Sequence, residues 1–328
     1  MSLTPRNGRN PTTIRPKPPV TTVLLARRAR ELERYLPLAV AGDDTGVHQA
    51  RVASRRLREG LPVLAIGLKR GRKAERKIRR LTRALGTVRE MDVTMQVLDE
   101  LARRPKIPRD ALEDVRGHVI AERERRREVM LERLSDLNTA KLMRRLDEVA
   151  VDSTVGDPVV WREALSARIG RRSKRFAAAI HEAGQIYIPE RLHEVRIATK
   201  KLRYVLELAQ DAGIRSARPL VRSLKRLQET LGRLNDLHVI QGHVAAVQLK
   251  PPTRQGATVR GLESIARTLE DENRHLHARY TKDVPALLAL AETCRTTVVP
   301  QITSGARRRQ PLKMSRPGHA RPATARRA

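Results

Sequence analysis

The fold is decided by a stretch of twelve residues that occurs twice in the chain. Residues 47–58 read VHQARVASRRLR, and residues 192–203 read LHEVRIATKKLR, 145 positions further on. Both copies follow the pattern apolar-His-x-x-Arg-apolar-Ala-Ser/Thr-basic-basic-Leu-Arg without a gap. A second pair follows in the same order at an offset of 146, because residues 79–86 resemble residues 225–232. Two matches in one order indicate an internal duplication.

Apolar residues recur at spacings of three and four among Arg and Glu over most of the chain, which predicts helices and no convincing strand. The predicted helices cover 21–41, 46–69, 72–103, 109–150, 158–183, 190–212, 215–249 and 256–297. The most turn-rich interior stretch, residues 151–158, predicts the boundary between two units. The expected fold is therefore all-α, a tandem duplication of two four-helix bundles at 21–150 and 151–303.

Both ends of the chain are predicted to be disordered. Residues 1–20 are basic and rich in Pro, and residues 304–328 carry many Arg and no acid. Such compositions bury too little apolar surface to order themselves. The first segment also lacks the apolar region of a secretion signal, and no apolar run approaches the roughly 18 residues of a membrane-spanning helix. With a single cysteine, Cys294, a cytoplasmic protein is expected.

Each copy of the repeated motif places its basic residues on one side of a helix. At about 100° per residue, four side chains of the first copy fall within an arc of about 80°, and the apolar residues fall opposite. These residues are His48, Arg51, Arg55 and Arg58, and their counterparts are His193, Arg196, Lys200 and Arg203. Each set of four residues is called a basic stripe, and neither stripe contains an acid. A stripe extends about 15 Å, and guanidinium and ammonium groups are suited to grip successive phosphates.

The helix after each motif adds further cations. Arg72, Arg76 and Arg79 are repeated as Arg218, Arg222 and Lys225, which predicts a second basic wall beside each stripe. A polar cluster follows each Leu-Gly pair. Its acids, Glu90, Asp92 and Asp236, are interpreted mainly as partners that orient nearby arginines, with metal binding as the minority alternative.

The charge points to a polyanionic partner. Lys and Arg number 68 against 36 Asp and Glu, a formal net charge of +32 that opposes compactness unless a counter-charged ligand is bound. Nucleic acid, anionic membrane and soluble polyphosphate are the candidates. Only six residues are Phe, Trp or Tyr, so base stacking is poorly supported. The chain also lacks the His-Glu-x-x-His, Gly-x-Ser-x-Gly and P-loop motifs, so we predict no enzyme, metal site or cofactor.

Taken together, the His-led helix, the basic helix that ends in Leu-Gly, the polar cluster and the duplication resemble the CHAD family, the conserved histidine α-helical domain, over about residues 21–298. The resemblance implies two four-helix bundles related by a pseudo-twofold axis, whose basic faces bind inorganic polyphosphate, in several bacteria at polyphosphate granules. The implied ligands are the two stripes, supported by the helices of Arg72 and Arg218. The triphosphate tunnel domain that often accompanies CHAD units is not visible, because its Glu-x-Glu-x-Lys pattern is missing.

Two other function classes stay open at this stage. A nucleic-acid-binding protein of the nucleoid-associated type is the alternative, with non-specific binding through the basic tails. A polyphosphate hydrolase or kinase ranks third, since phosphoryl transfer needs metal-holding carboxylates that the stripes lack.

Overall fold

A computed structural model describes residues 18–153, 158–249 and 257–307, and within these ranges no residue lies in a strand. Eleven α-helices follow one another in the described chain, and a π-helical turn, Cys294–Val298, joins the last two. The helices are α1 (Val20–Val40), α2 (Asp44–Leu64), α3 (Lys69–Ala84), α4 (Gly86–Ala102), α5 (Arg109–Ser135), α6 (Thr139–Asp152), α7 (Pro158–Ala183), α8 (Pro189–Asp211), α9 (Ala217–Gln248), α10 (Ala257–Thr293) and α11 (Val299–Arg307). The all-α fold class is confirmed.

Two of the predicted helices are wrong, because each is broken in the structure. The segment 72–103 divides at Leu85 into α3 and α4, next to Gly86. The segment 109–150 divides into α5 and α6, because the side chain of Asn138 accepts a hydrogen bond from the Lys141 amide at 2.7 Å and caps a new helix. The equivalent Leu-Gly pair of the second half lies inside the continuous helix α9.

The two motif helices begin with different local signals and bury the same face. Helix α2 begins where the Asp43 side chain accepts a hydrogen bond from the Gly46 amide at 2.5 Å, and α8 begins with Pro189 in its first turn. The motif leucines, Leu57 and Leu202, are both fully buried. Replacing either by Ala would cost about 2–5 kcal/mol. Burial of this face turns the basic stripe of each helix away from the core.

Helices from both halves share the hydrophobic core. One cluster of buried residues draws on α1, α2 and α3 together with α7, α8, α11 and the end of α10. A second joins α4 and the start of α5 to the second part of α9 and the first part of α10. Each cluster therefore contains residues from both sides of 154–157. Half of the predicted boundary, residues 154–157, lies outside the described residues, so the division into units at 150 stays a prediction.

The predicted tails fall mostly outside the described residues as well, at 1–17 and 308–328. Helix α11 extends to Arg307, four residues into the segment predicted to be disordered. Among the described helices, none combines the length and the hydropathy needed to cross a bilayer.

Candidate polyanion-binding groove

Helices α2 and α8 contact each other and line one groove with a volume of about 520 Å³. The start of α4 and the middle of α9 complete it. The residues around it include seven Lys and Arg side chains and three carboxylates. These are Arg51, Arg55, Arg58, Arg89, Arg196, Lys200 and Lys201, with Glu59, Glu90 and Asp236. The two copies of the motif, far apart in sequence, thus face one shared space.

Seven of the eight predicted stripe residues line this groove. They are His48, Arg51, Arg55, Arg58, His193, Arg196 and Lys200. Arg203 does not. Its guanidinium donates to Glu207 at 2.7 Å, one helical turn on, and lies 4.6 Å from the ring centre of Tyr204. The fourth position of the second stripe is therefore committed to contacts within the protein.

The cations at the centre of the groove have few partners. In the described part of the chain, Arg51, Arg55, Arg196 and Lys200 take part in no ion pair, and the buried Nε atoms of Arg51 and Arg196 have no hydrogen-bond partner. Burial and the neighbouring cations lower the pKa of Lys200 to about 5 and the pKa of Arg51 to about 9. Repulsion among desolvated like charges is the condition that an anion would relieve.

Two of the three groove carboxylates are neutralised from outside the groove. Glu59 is buried and accepts hydrogen bonds from Arg168 at 2.8 Å and from Arg172 at 2.9 Å. Glu90 accepts one from Arg126 at 2.6 Å. The interpretation of Glu90 as a partner that orients an arginine is thus confirmed. The groove keeps an excess of positive charge because its own cations are not the ones that these acids bind.

The remaining acids of the polar clusters differ from each other. Asp92 fits the interpretation as an orienting partner, since Arg123 donates to it at 2.8 Å. Asp236 makes no ion pair within the described residues, and burial raises its pKa, although the nearby Arg196 opposes this.

The two motif histidines differ in their surroundings. Burial lowers the pKa of His48, and the nearby Arg89 and Arg51 lower it further. His193 shares a hydrogen bond between its Nδ1 and the Asn235 side-chain oxygen at 2.8 Å. Because an amide oxygen only accepts, Nδ1 carries the proton. Both imidazoles line the groove, and the hydrogen bond to Asn235 leaves Nε2 of His193 for a ligand.

The predicted second basic walls do not line the groove. Arg72, Arg76 and Arg79 are exposed on α3, and Arg218, Arg222 and Lys225 are exposed on α9. Arg79 donates to Glu75 at 2.5 Å. Of the six side chains, Arg79 lies close enough to the stripe residue Arg58 for the two charges to repel. None of the six lines the groove, and their part in ligand binding stays a prediction.

Sequence reasoning missed several groove residues, among them Glu59, Arg89, Lys201 and Tyr204. Lys201 belongs to the basic pair inside the repeated motif, and Arg89 belongs to the polar cluster after Leu85-Gly86. Both signals were present in the sequence. No signal in the sequence places α4 at the groove, because the position of α4 depends on the break between α3 and α4.

Comparison with known families and structures decides the identity of the fold. Residues 23–245 match the CHAD domain family, which is more than half of the chain. The chain belongs to the CHAD domain family. A comparison with curated protein sequences finds no significant relative.

Two solved structures have a similar fold to this CHAD protein. The CHAD domain from the plant Ricinus communis is 23% identical, with a TM-score of 0.58, over 83% of this chain and 90% of that one. PptA from Streptomyces chartreusis is 14% identical, with a TM-score of 0.56, over 84% of this chain and all of that one. At these identities the likeness shows the common CHAD fold.

Proposed function

We propose that this protein binds inorganic polyphosphate in the groove between α2 and α8 and does not convert it. One observation carries the proposal. Basic side chains from both copies of the motif line a single groove, and those at its centre form no ion pair among the described residues. A phosphate chain offers one charge and two non-bridging oxygens per unit, so it satisfies several desolvated guanidinium groups at once.

The shape of the groove supports a thin polyanion. Each stripe extends about 15 Å along its helix, so two facing stripes would hold several consecutive phosphates from both sides. Apart from the histidines, Tyr204 is the aromatic residue of the groove, and it is buried with its ring against Arg203. A ligand that needs base stacking gains little here. A ligand made only of phosphate has no bases to stack, so the scarcity of aromatic residues does not weaken its binding.

We further propose that the fold is a tandem duplication of two four-helix bundles with pseudo-twofold symmetry. Equivalent residues of the two halves support it, since Arg51 and Arg196 line the same groove, as do Glu90 and Asp236. Both halves would then bind one ligand together.

The protein would act as a scaffold in the cytoplasm, in association with polyphosphate granules, without a cofactor or metal of its own. Among the described residues, no three His, Cys, Asp or Glu are grouped to hold a metal ion. The proposal therefore predicts no release of orthophosphate from polyphosphate with Mg²⁺ or Mn²⁺. Release that disappears on Glu90→Gln substitution would contradict it.

The test is equilibrium binding of long-chain polyphosphate at several salt concentrations, with duplex DNA as competitor. A groove variant with Arg55→Gln and Lys201→Gln should lose at least about tenfold in affinity, since each charged hydrogen bond contributes about 1.5–3 kcal/mol. A matched control with Arg30→Gln and Arg34→Gln removes the same charge from the exposed face of α1 and should change affinity much less.

Three outcomes would contradict the proposal. The first is an equal loss in the groove variant and the control. The second is efficient displacement of polyphosphate by duplex DNA at physiological salt, which would favour nucleic acid as the ligand of this protein. The third is loss of all binding on deletion of residues 308–328, since the basic tail would then account for the affinity.

A further inference from the structure

Helix α3 carries a cationic surface that the groove does not use. Nine of its sixteen residues are Lys or Arg and one, Glu75, is acidic. Eight of the nine cations are exposed, and Lys77 is half-buried. The apolar residues of the helix, Ala74, Ile78, Leu81 and Ala84, are all buried. The outer surface of α3 is therefore almost purely cationic.

Helix α6 extends this surface sideways. The two helices contact each other, and Arg70 of α3 donates to Asp152 of α6 at 3.3 Å across the contact. Burial and the nearby Arg145, Lys141 and Arg80 lower the pKa of Lys77, so cations of both helices meet at the seam. Arg144 is exposed beside them and lies 3.9 Å from Glu148. The exposed cations of α3 together with Lys141, Arg144 and Arg145 are called the α3–α6 face below.

The duplication does not account for this face. Residues 69–84 carry nine cations and one acid, whereas the aligned residues 215–230 carry five cations and one acid. Pro219, Ser223 and Glu229 stand where α3 has Lys73, Lys77 and Arg83. The two stripes of the groove are repeated, but the density of charge on α3 is particular to the first half.

We propose that the α3–α6 face binds duplex nucleic acid through its phosphate backbones, at a site separate from the groove. At about 100° per residue, the exposed cations of α3 cover roughly half of the helix circumference, and the helix extends about 24 Å. A major groove is about 12 Å wide and admits one helix, so cations on both flanks reach the phosphates of both strands. A duplex is too broad to enter the groove between α2 and α8.

Other polyanions fit this face less well. A single phosphate chain meets one line of cations on a convex helix, whereas the groove offers it two walls. An anionic membrane would gain little from apolar insertion, because α3 exposes no apolar side chain and the large apolar residue that α6 exposes is the single Val151. The face presents charge without a fixed arrangement for base edges, so binding independent of sequence is expected.

The experiment uses the full chain and a duplex DNA of arbitrary sequence, with affinity measured at several salt concentrations. The variant combines Lys69→Gln and Arg80→Gln, two exposed residues of α3. Its control combines Arg215→Gln and Arg226→Gln, which are the aligned, exposed residues just before and within α9. Both remove two charges. The α3 variant should bind DNA about tenfold more weakly, with a slope of log affinity against log salt shallower by about 2.

The same variants are tested against long-chain polyphosphate and against vesicles of anionic lipid. Unchanged polyphosphate binding in the α3 variant supports a separate site, whether or not the groove binds polyphosphate as proposed. Equal losses of DNA affinity in the variant and its control would overturn the inference, because net charge or the tails would then explain the binding. A parallel loss of polyphosphate affinity, or stronger binding to vesicles than to DNA, would overturn it too.

Discussion

Arg51 of α2 and Arg196 of α8 hold the same position in the two copies of the motif, and each buries its Nε at the common groove without a hydrogen-bond partner. Each also lies close enough to Arg55 for the two charges to repel. An unpaired, desolvated charge destabilises the folded chain. A bound anion that offsets this destabilisation would explain why such an arginine stands at both equivalent positions.

Replacing both residues, Arg51→Gln and Arg196→Gln, should therefore change stability and binding in opposite directions. Polyphosphate affinity should fall about 10- to 100-fold, because two charge-assisted contacts of about 1.5–3 kcal/mol are weakened. The free energy of unfolding without ligand should stay equal or rise. Fluorescence anisotropy with labelled polyphosphate and urea titration measure the two quantities. Loss of stability together with loss of binding would identify the arginines as structural.

Replacing Arg203 should instead lower the stability of the fold and leave polyphosphate binding nearly unchanged. Its ion pair with Glu207 is only about one-seventh exposed on either side, and its guanidinium covers Tyr204. Arg203→Gln should lower the free energy of unfolding by about 1.5–3 kcal/mol and leave polyphosphate affinity within about twofold. Thermal unfolding and the binding assay check the two parts. A tenfold loss of affinity with unchanged stability would place Arg203 among the ligand residues after all.

The sequence contains the signal that separates Arg203 from its counterpart. Glu207 lies four residues after Arg203, where a helix brings two side chains together, whereas Pro62 lies four residues after Arg58. An alignment of the two copies that extends one turn beyond the motif would have shown this difference. The residue type of Arg203 and its place in the stripe predicted a ligand-binding residue, but Glu207, an acid one turn away, pairs with its guanidinium.

The groove itself could not be predicted from periodicity. Helical spacing gave the stripes on α2 and α8, but not the contact between two helices about 145 residues apart, which depends on the shared core. The break at Leu85 was missed for a related reason, since the same Leu-Gly pair lies inside continuous α9. Packing decides whether such a glycine ends a helix, and local propensity does not.

Binding should take up protons because of Lys200. In the free protein, burial and the neighbouring arginines lower the pKa of Lys200 to about 5, so the amine is neutral at pH 7. A bound polyanion favours the charged form and raises this pKa. Between the two pKa values binding takes up a proton, and affinity falls as pH rises, by at most about tenfold per unit for one proton. Calorimetry in buffers of different ionisation enthalpy measures the uptake.

The matched variant for this effect is Lys200→Arg, since arginine stays protonated over the whole range. Its proton uptake should be smaller by up to one proton, and its affinity should depend less on pH. Burial also lowers the pKa of His48, so a smaller uptake below neutral pH should remain. Uptake identical in the wild type and in Lys200→Arg would show that Lys200 is not the group that titrates.

Replacing Glu59 should change the stability of the fold and the affinity for polyphosphate in opposite directions. It is 4% exposed and holds Arg168 and Arg172 beside the groove. Glu59→Gln leaves two guanidinium groups without their counter-charge and should lower the free energy of unfolding by about 3 kcal/mol. The same change adds one net positive charge to the groove lining, close to Arg58 and Lys201. Polyphosphate affinity of the folded fraction should therefore rise severalfold.

The control is Glu148→Gln, which makes the same charge change at an exposed residue of α6, 3.9 Å from Arg144. A surface pair of this kind contributes about 0–1 kcal/mol, so stability and binding should hardly move. Urea titration and anisotropy on both variants give the comparison. Tighter binding by the Glu59→Gln variant, despite its lower stability, would show that the net charge of the groove sets the affinity for the ligand. Weaker binding at saturating ligand in the folded fraction would mean that Glu59 positions the groove cations, and charge alone would then not set the affinity.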